Sequence, residues 1–290
     1  MNVLSIVEEF LKHSDEFFKN LIEEKGLLAY FVSSNLAILG LSAVYGATMG
    51  TYAGGLSILF SAVKVPMLLL ISLYLTIPSY YVLYSLLGGK RNLRQTAILS
   101  LFSFTIMATV LIALVPVNLF FVITTTKSSE TYAFMVLLNI AIFTLGGLFA
   151  LFNFIKGAKV LYREPSENWK PSFLLGSLIL VVVGTQLAWV LRPYFDYYSG
   201  FIRPLKGNFY TAMLRLISHY MGESGVYLIA LVLIIIVSLF LFALRPAREE
   251  LLENSTSLPL TRKEAMGKQE VDSIREKVEA ENREKEREKV

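Results

Sequence analysis

The chain has 290 residues, of which 54% are hydrophobic and only 17% are charged, and its mean hydropathy is +0.56. A soluble domain carries roughly a quarter charged residues, so this composition excludes an ordinary water-soluble domain. The absence of cysteine excludes disulfides, thiolate metal sites and cysteine nucleophiles. The formal net charge of +4 and the pI near 9.0 reflect basic loops on a membrane protein rather than a nucleic-acid surface.

Residues 1–25 carry apolar side chains mostly three or four positions apart, which predicts an amphipathic helix. Its polar face is acidic, whereas binding to anionic lipid needs Lys and Arg, so we expect this helix to dock on the membrane domain. The same acidic residues precede the first apolar run, and this is the wrong order for a cleaved signal peptide. The first span should therefore act as an uncleaved anchor.

Three glycines with a four-residue spacing follow the first predicted span, which begins near residue 27: Gly46, Gly50 and Gly54. Missing side chains let helix backbones approach, so this spacing favours helix–helix packing. The same stretch, rich in Thr, Ala and Ser, also fits a re-entrant segment that crosses part of the bilayer. Residues 46–62 are thus either re-entrant or part of a long span.

The second predicted span covers residues 65–87 and contains two prolines. Pro66 is expected in the first turn, where a missing N–H costs little. Pro78 is expected to kink the helix in mid-span and to free the carbonyl near Tyr74. Because this span contains no ionisable residue, the kink is interpreted as a matter of shape rather than of transport.

Four further spans are predicted at residues 95–115, 132–152, 172–191 and 226–243, each long enough for a hydrocarbon core of about 30 Å. Together the six spans predict one all-α polytopic membrane domain over residues 26–245. Basic residues concentrate in the loops on the N-terminal side, so the positive-inside rule places both termini in the cytoplasm of a cell-membrane protein.

Residues 246–290 form the last predicted unit. A Ser/Thr/Pro-rich linker leads into a mixture of Glu, Lys and Arg that has almost no apolar stripe. Such a segment cannot form a coiled-coil seam of useful length. We predict a mobile, charged cytoplasmic tail.

Groups that titrate or bind metal are scarce in the predicted membrane domain. An ionisable side chain within a span is the usual sign of a proton or ion path, and the predicted spans have none. His13 and His219 are the only histidines and are expected on opposite sides of the membrane, so a metal site or a Ser–His pair is not expected. We predict neither an enzyme nor a bound cofactor.

The loop after the fifth span is the most distinctive stretch, with aromatic residues and two Arg-Pro steps. Arg192 and Arg203 each precede proline, which predicts extended backbone and a guanidinium beside aromatic rings. One interpretation is a loop that anchors the ends of spans five and six, with Asp196 and Glu223 as local partners of the cations. The other is a pocket in which Arg192, Arg203 and Lys206 bind an anionic headgroup or solute.

Two segments resemble known sequences. The run AVKVPMLLLISLYLTIPSYYVLYSLLG (62–88) and the stretch from Gln186 to Tyr210 are similar to an uncharacterised family of prokaryotic multi-span membrane proteins that is loosely Yip1-like. The resemblance covers the spans and not the tail, and it implies a non-enzymatic membrane protein. The short N-terminal helix departs from the Yip1 arrangement, so neither a GTPase partner nor any site residue is carried over.

These features lead to the hypothesis of a non-enzymatic scaffold or accessory subunit in contact with membrane lipid. It would assemble with membrane proteins or with itself. The alternatives are a channel or transporter for a neutral or anionic solute, and a lipid-binding membrane protein.

Overall fold

The computed structural model describes residues 3–12, 14–86, 92–161, 169–193 and 207–243, which form helices and no strand. The predicted tail lies outside these ranges. The helices in chain order are α1 Val3–Lys12, α2 Ser14–Ile22, α3 Leu27–Gly50, α4 Leu56–Leu86, α5 Leu93–Ala113, α6 Val115–Thr124, α7 Ser129–Leu161, α8 Trp169–Leu191 and α9 Phe209–Ala243.

Five helical segments in the described part of the chain are long and apolar enough to cross a membrane: Leu27–Gly50, Leu56–Leu83, Leu93–Thr124, Ser129–Leu161 and Leu174–Leu191. The predicted all-α polytopic fold is therefore confirmed. The helices form an antiparallel bundle in which α3 packs between α4 and α5, with α8 against α4 and α7 against α5. Large aliphatic residues such as Leu36 and Leu59 are exposed on the outside, where lipid would contact them.

The predicted sixth span, residues 226–243, lies within the second half of α9. The helix begins after Asn208, whose Oδ1 accepts a hydrogen bond from the Thr211 backbone N–H at 2.9 Å, so Asn208 acts as the N-cap. Gly222 interrupts the helix with φ 65° and ψ −167°. The first half of α9 and the half that contains the predicted span are therefore two arms separated by a break at a glycine.

Helices α3 and α4 form a hairpin closed by the turn 51–55. Both Gly54 and Gly55 have positive φ, at 81° and 57°, a conformation in which glycine has no steric penalty. Residues 46–62 are thus the facing ends of two antiparallel helices. The expected start of the second span at residue 65 is wrong, because α4 begins at Leu56 and its first turns pack along α3.

Both prolines of α4 lie inside the helix, so Pro66 is not in the first turn as expected. The α-helix assignment continues through Pro78, and the kink predicted there stays a prediction. One turn earlier, Thr76 Oγ1 donates to the carbonyl oxygen of Ser72 at 2.6 Å. The Thr76 hydroxyl is therefore satisfied by the backbone of its own helix.

The N-terminal segment forms two short helices, α1 and α2, that dock across the bundle. The Phe17 ring is fully buried and lies 4.8 Å from the Phe10 ring and 4.7 Å from the Phe102 ring of α5, measured between centroids. The Tyr30 hydroxyl donates to the Glu9 carboxylate, which joins α1 to α3. Docking on the protein is thus the arrangement observed.

Polar contacts fix the same end of the bundle, which we call the proximal end and define by α1 and α2. Gln95 Nε2 donates to the carbonyl oxygen of Leu21 at 3.2 Å, at the end of α2. Lys156 Nζ donates to Ser14 Oγ at 3.0 Å. Gly157 leaves the space that the Phe18 ring occupies, since a Cβ there would come within 2.9 Å of that ring.

Hydroxyl groups within the membrane-spanning helices mostly bond to carbonyl oxygens four residues earlier on their own helix. The examples are Ser42, Thr76, Ser100, Ser103, Thr105, Thr109, Thr144 and Thr185. Such bonds satisfy the hydroxyl without a neighbouring helix. Apart from Thr185, whose hydroxyl also contacts Tyr210 of α9, these side chains neither join helices nor present free donors to a pathway.

Candidate functional site

The candidate site lies at the distal end of the bundle, which we define by the turn 51–55, the start of α7, the end of α8 and the start of α9. Tyr52 and Thr131 hydroxyls lie 3.1 Å apart and join the turn to α7. Tyr220 of α9 donates to the carbonyl oxygen of Ser129 at 3.2 Å. The distal end is thus an assembly of residues that are far apart in the chain.

Lys64 is the residue that sequence reasoning placed wrongly. The second span was predicted to begin at residue 65, which left Lys64 just outside it, but α4 begins at Leu56, so Lys64 lies about 12 Å along the helix. Its side chain is only 3% exposed, and it has a partner within the chain. The spans therefore do contain an ionisable residue. A charge within a span is energetically costly, so such a residue is rarely kept without a role. The apolar run LSILFSAV immediately before Lys64 is the signal that could have revealed it.

The face of α4 that carries Lys64 is turned toward the end of α8. Ser61 lies three residues earlier on the same face, and its Oγ donates to the carbonyl oxygen of Pro193 at 2.9 Å. Both Ser61 and Pro193 are buried. Lys64 is consequently one helical turn below the point where the Arg-Pro step leaves α8.

Arg192, one of the three cations predicted to bind an anionic group, is held against the last turn of α8. Its guanidinium carbon lies 4.1 Å from the centroid of the Trp189 ring, and its Nε donates to the Trp189 carbonyl oxygen at 3.3 Å. The predicted aromatic neighbour is therefore present. The predicted extended backbone is not, because Arg192 has φ 40°. A cation over an indole face and at the negative end of a helix offsets the cost of that left-handed conformation.

Arg203, Lys206 and Asp196 lie outside the described residues, as does the side chain of Glu223. The loop re-enters the described chain at Gly207, whose carbonyl oxygen accepts from Trp189 Nε1 at 3.1 Å. Thr185 and Tyr210 hydroxyls lie 3.0 Å apart. These two contacts tie the start of α9 to the last two turns of α8, as expected of an anchoring loop.

The three glycines singled out from their spacing have different surroundings. A Cβ on Gly46 would collide with the carbonyl of Ser61, and one on Gly50 would come within 2.6 Å of the Ile58 Cα. Both glycines thus lie against the backbone of α4. Gly54 lies in the turn instead, with no atom within 4 Å of a Cβ, and its positive φ is the reason for glycine there.

A buried polar network joins α3, α6 and α7. The Tyr45 hydroxyl donates to Asn139 Oδ1 at 2.7 Å, Asn139 Nδ2 donates to Asn118 Oδ1 at 3.3 Å, and Asn118 Nδ2 donates to Thr48 Oγ1 at 3.4 Å. Tyr45, Asn118 and Asn139 are fully buried. Each of these three hydrogen bonds joins two different helices, so the network holds the helices together, as interhelical hydrogen bonds do in membranes.

The long apolar helices, their lipid-facing surface and the internal bonding of their polar groups define a polytopic integral membrane protein. No protein-family model, curated protein or solved structure matches this chain.

Proposed function

We propose that the protein is a non-enzymatic scaffold or accessory subunit of the cell membrane, with both termini in the cytoplasm. It assembles with membrane proteins or with itself through the second half of α9. The observation that carries this proposal is the exposure of residues 231–235, which are between 45% and 63% exposed. Five consecutive helical residues cover every direction around the axis, so every side of α9 is at least partly exposed there.

The first half of α9 differs from the second because it is tied to α7 and α8 through Tyr220 and Tyr210. The break at Gly222 separates this attached arm from the exposed one. Transmembrane helices associate through side-chain packing, and a span that contributes little to its own bundle has its faces available for another protein. The resemblance to Yip1-like proteins, which are non-enzymatic, supports the same proposal.

A photo-crosslinking experiment tests this proposal. Because the chain has no cysteine of its own, a thiol-reactive label attaches only to the cysteine that is introduced. Ile234→Cys is labelled in native membranes with a thiol-reactive benzophenone and irradiated, and adducts are identified by mass spectrometry. We expect protein adducts, because the exposed arm packs on a partner or a second copy. Leu178→Cys on α8, at 61% exposure against 63% for Ile234, is the matched control and should yield several-fold fewer protein adducts. Lipid adducts alone at both positions would contradict the proposal.

A second candidate function, binding and passage of an anionic solute, is favoured by one observation. Lys64 is buried within α4 one turn from the contact between Ser61 and Pro193, beside the α8 end that carries Arg192. Intramembrane cations line the routes of many anions, and this proposal requires only the charge of Lys64 at that depth.

Flux into proteoliposomes distinguishes the two candidates. If the protein conducts anions, Lys64→Gln should lower chloride or phosphate flux by about tenfold or more, because the route loses a partly desolvated positive charge. Lys127→Gln is the control, since Lys127 is exposed at the distal end and outside the bundle. Absence of flux from the unmodified protein would reject this candidate and leave the scaffold.

A further inference from the structure

A cavity of about 570 Å³ opens at the distal end, between the start of α7 and the attached arm of α9. It is a wide depression that is open to the outside rather than an enclosed site. Its lining residues are Tyr132, Arg215, Leu216, Ser218, His219 and Tyr220. Its described lining residues include neither Arg192 nor any residue of the exposed arm of α9.

The lining presents the positive charge of Arg215. Arg215 and His219 are four residues apart and share one face of α9. Arg215 is exposed and makes no ion pair with any residue that the structure describes. Among the described lining residues there is no carboxylate. The cavity is therefore suited to an anion.

Two of the lining rings are held in place. Tyr220 donates its hydroxyl proton to the Ser129 carbonyl oxygen, which fixes the ring against the start of α7. The His219 ring stands edge-on to the Tyr220 ring at 4.8 Å between centroids. Ser218 Oγ donates to the Arg215 carbonyl oxygen at 3.1 Å, so its proton is used within α9 and the donors available to an anion are those of Arg215. The walls are thus set before a ligand arrives.

The position of the cavity identifies the ligand class. It lies where α7 enters the membrane-spanning segment at Ser129, and Leu214, the chain neighbour of Arg215, is an exposed apolar residue. Lipid phosphates lie at this boundary, and Arg and Tyr are the side chains favoured there. A guanidinium binds a phosphate through two parallel hydrogen bonds. We propose that the cavity binds the phosphate of an anionic phospholipid headgroup, with Arg215 as the main ligand and Leu216 against its glycerol or acyl portion.

Native mass spectrometry of the full-length protein in detergent tests the proposal, with phosphatidylglycerol and phosphatidylcholine of identical acyl chains as probes. We expect phosphatidylglycerol to be retained preferentially and Arg215→Gln to weaken its binding by about tenfold, because a charge-assisted bidentate contact is lost. Arg215→Lys, which keeps the charge but loses the fork, should fall between the two. Lys127→Gln removes a distal-end cation that does not line the cavity and should change nothing.

Three results would overturn the proposal. Equal retention of the two lipids would remove the requirement for an anionic headgroup, and unchanged phosphatidylglycerol binding in Arg215→Gln would remove the site. Inorganic phosphate alone is the third probe. If it bound as tightly as phosphatidylglycerol and displaced it, the ligand would be a soluble phosphate rather than a lipid. Circular dichroism of Arg215→Gln checks that the variant is folded, which is expected of an exposed position.

Discussion

Replacing Gly46 and Gly50 together with alanine should separate α3 from α4 and lower the free energy of unfolding by about 2–6 kcal/mol, as two overpacked sites. Each added methyl group would meet the backbone of α4, at the carbonyl of Ser61 or at Ile58. A backbone cannot rotate away as a side chain can, so the whole helix must move. Unfolding of the purified protein in detergent, followed by circular dichroism, measures the change.

The matched control replaces Gly40 on α3 and Gly147 on α7 with alanine. Neither position has an atom within 4 Å of the added Cβ. We expect stability to be unchanged or slightly higher, because alanine is the better helix former. If both double variants were equally stable, the close approach of α3 and α4 would not depend on Gly46 and Gly50.

Phe17→Ala should release α1 and α2 from the bundle at a cost of about 3–5 kcal/mol to their docking. The Phe17 ring is fully buried between the rings of Phe10, Tyr30 and Phe102. Its removal leaves a cavity at the centre of the aromatic cluster rather than at its edge. Cleavage by trypsin at the N-terminal lysines reports the release, and a loss of 3 kcal/mol would speed it by about a hundredfold.

Leu11→Ala is the control for that experiment, because Leu11 is a large apolar residue of α1 that is 58% exposed. We expect wild-type cleavage, since the truncation removes little buried surface. An unchanged rate in Phe17→Ala as well would mean that the polar contacts of Tyr30, Gln95 and Lys156 hold these helices without the aromatic cluster.

The cations at the distal end have three separate surroundings. Lys64 is buried within α4, Arg192 stacks on Trp189, and Arg215 faces the cavity beside α7. The positive-inside rule predicts few cations on this side, so the excess calls for local reasons. The proposed anion route would account for Lys64 and the proposed lipid site for Arg215, and Lys64→Gln and Arg215→Gln test them separately.

The sequence by itself determined the class of fold. Apolar runs of about twenty residues admit only helices in a bilayer, because each backbone group must be bonded within its own segment. It also indicated the docking N-terminal segment, the close glycines and the aromatic neighbours of Arg192. These properties depend on local composition and spacing, which can be read directly from a single sequence.

Only the tertiary structure decided where α4 begins, and with it the burial of Lys64. The start of α4 depends on Gly46 and Gly50, which let α4 lie along α3, and such contacts join residues that no periodicity relates. The left-handed Arg192 depends in the same way on Trp189 and the end of α8. The cavity at Arg215 lies between the start of α7 and the first half of α9, two segments that are about ninety residues apart in the chain. Packing between distant segments overrides local preference at these places, and the proposed sites at Lys64 and Arg215 lie among them.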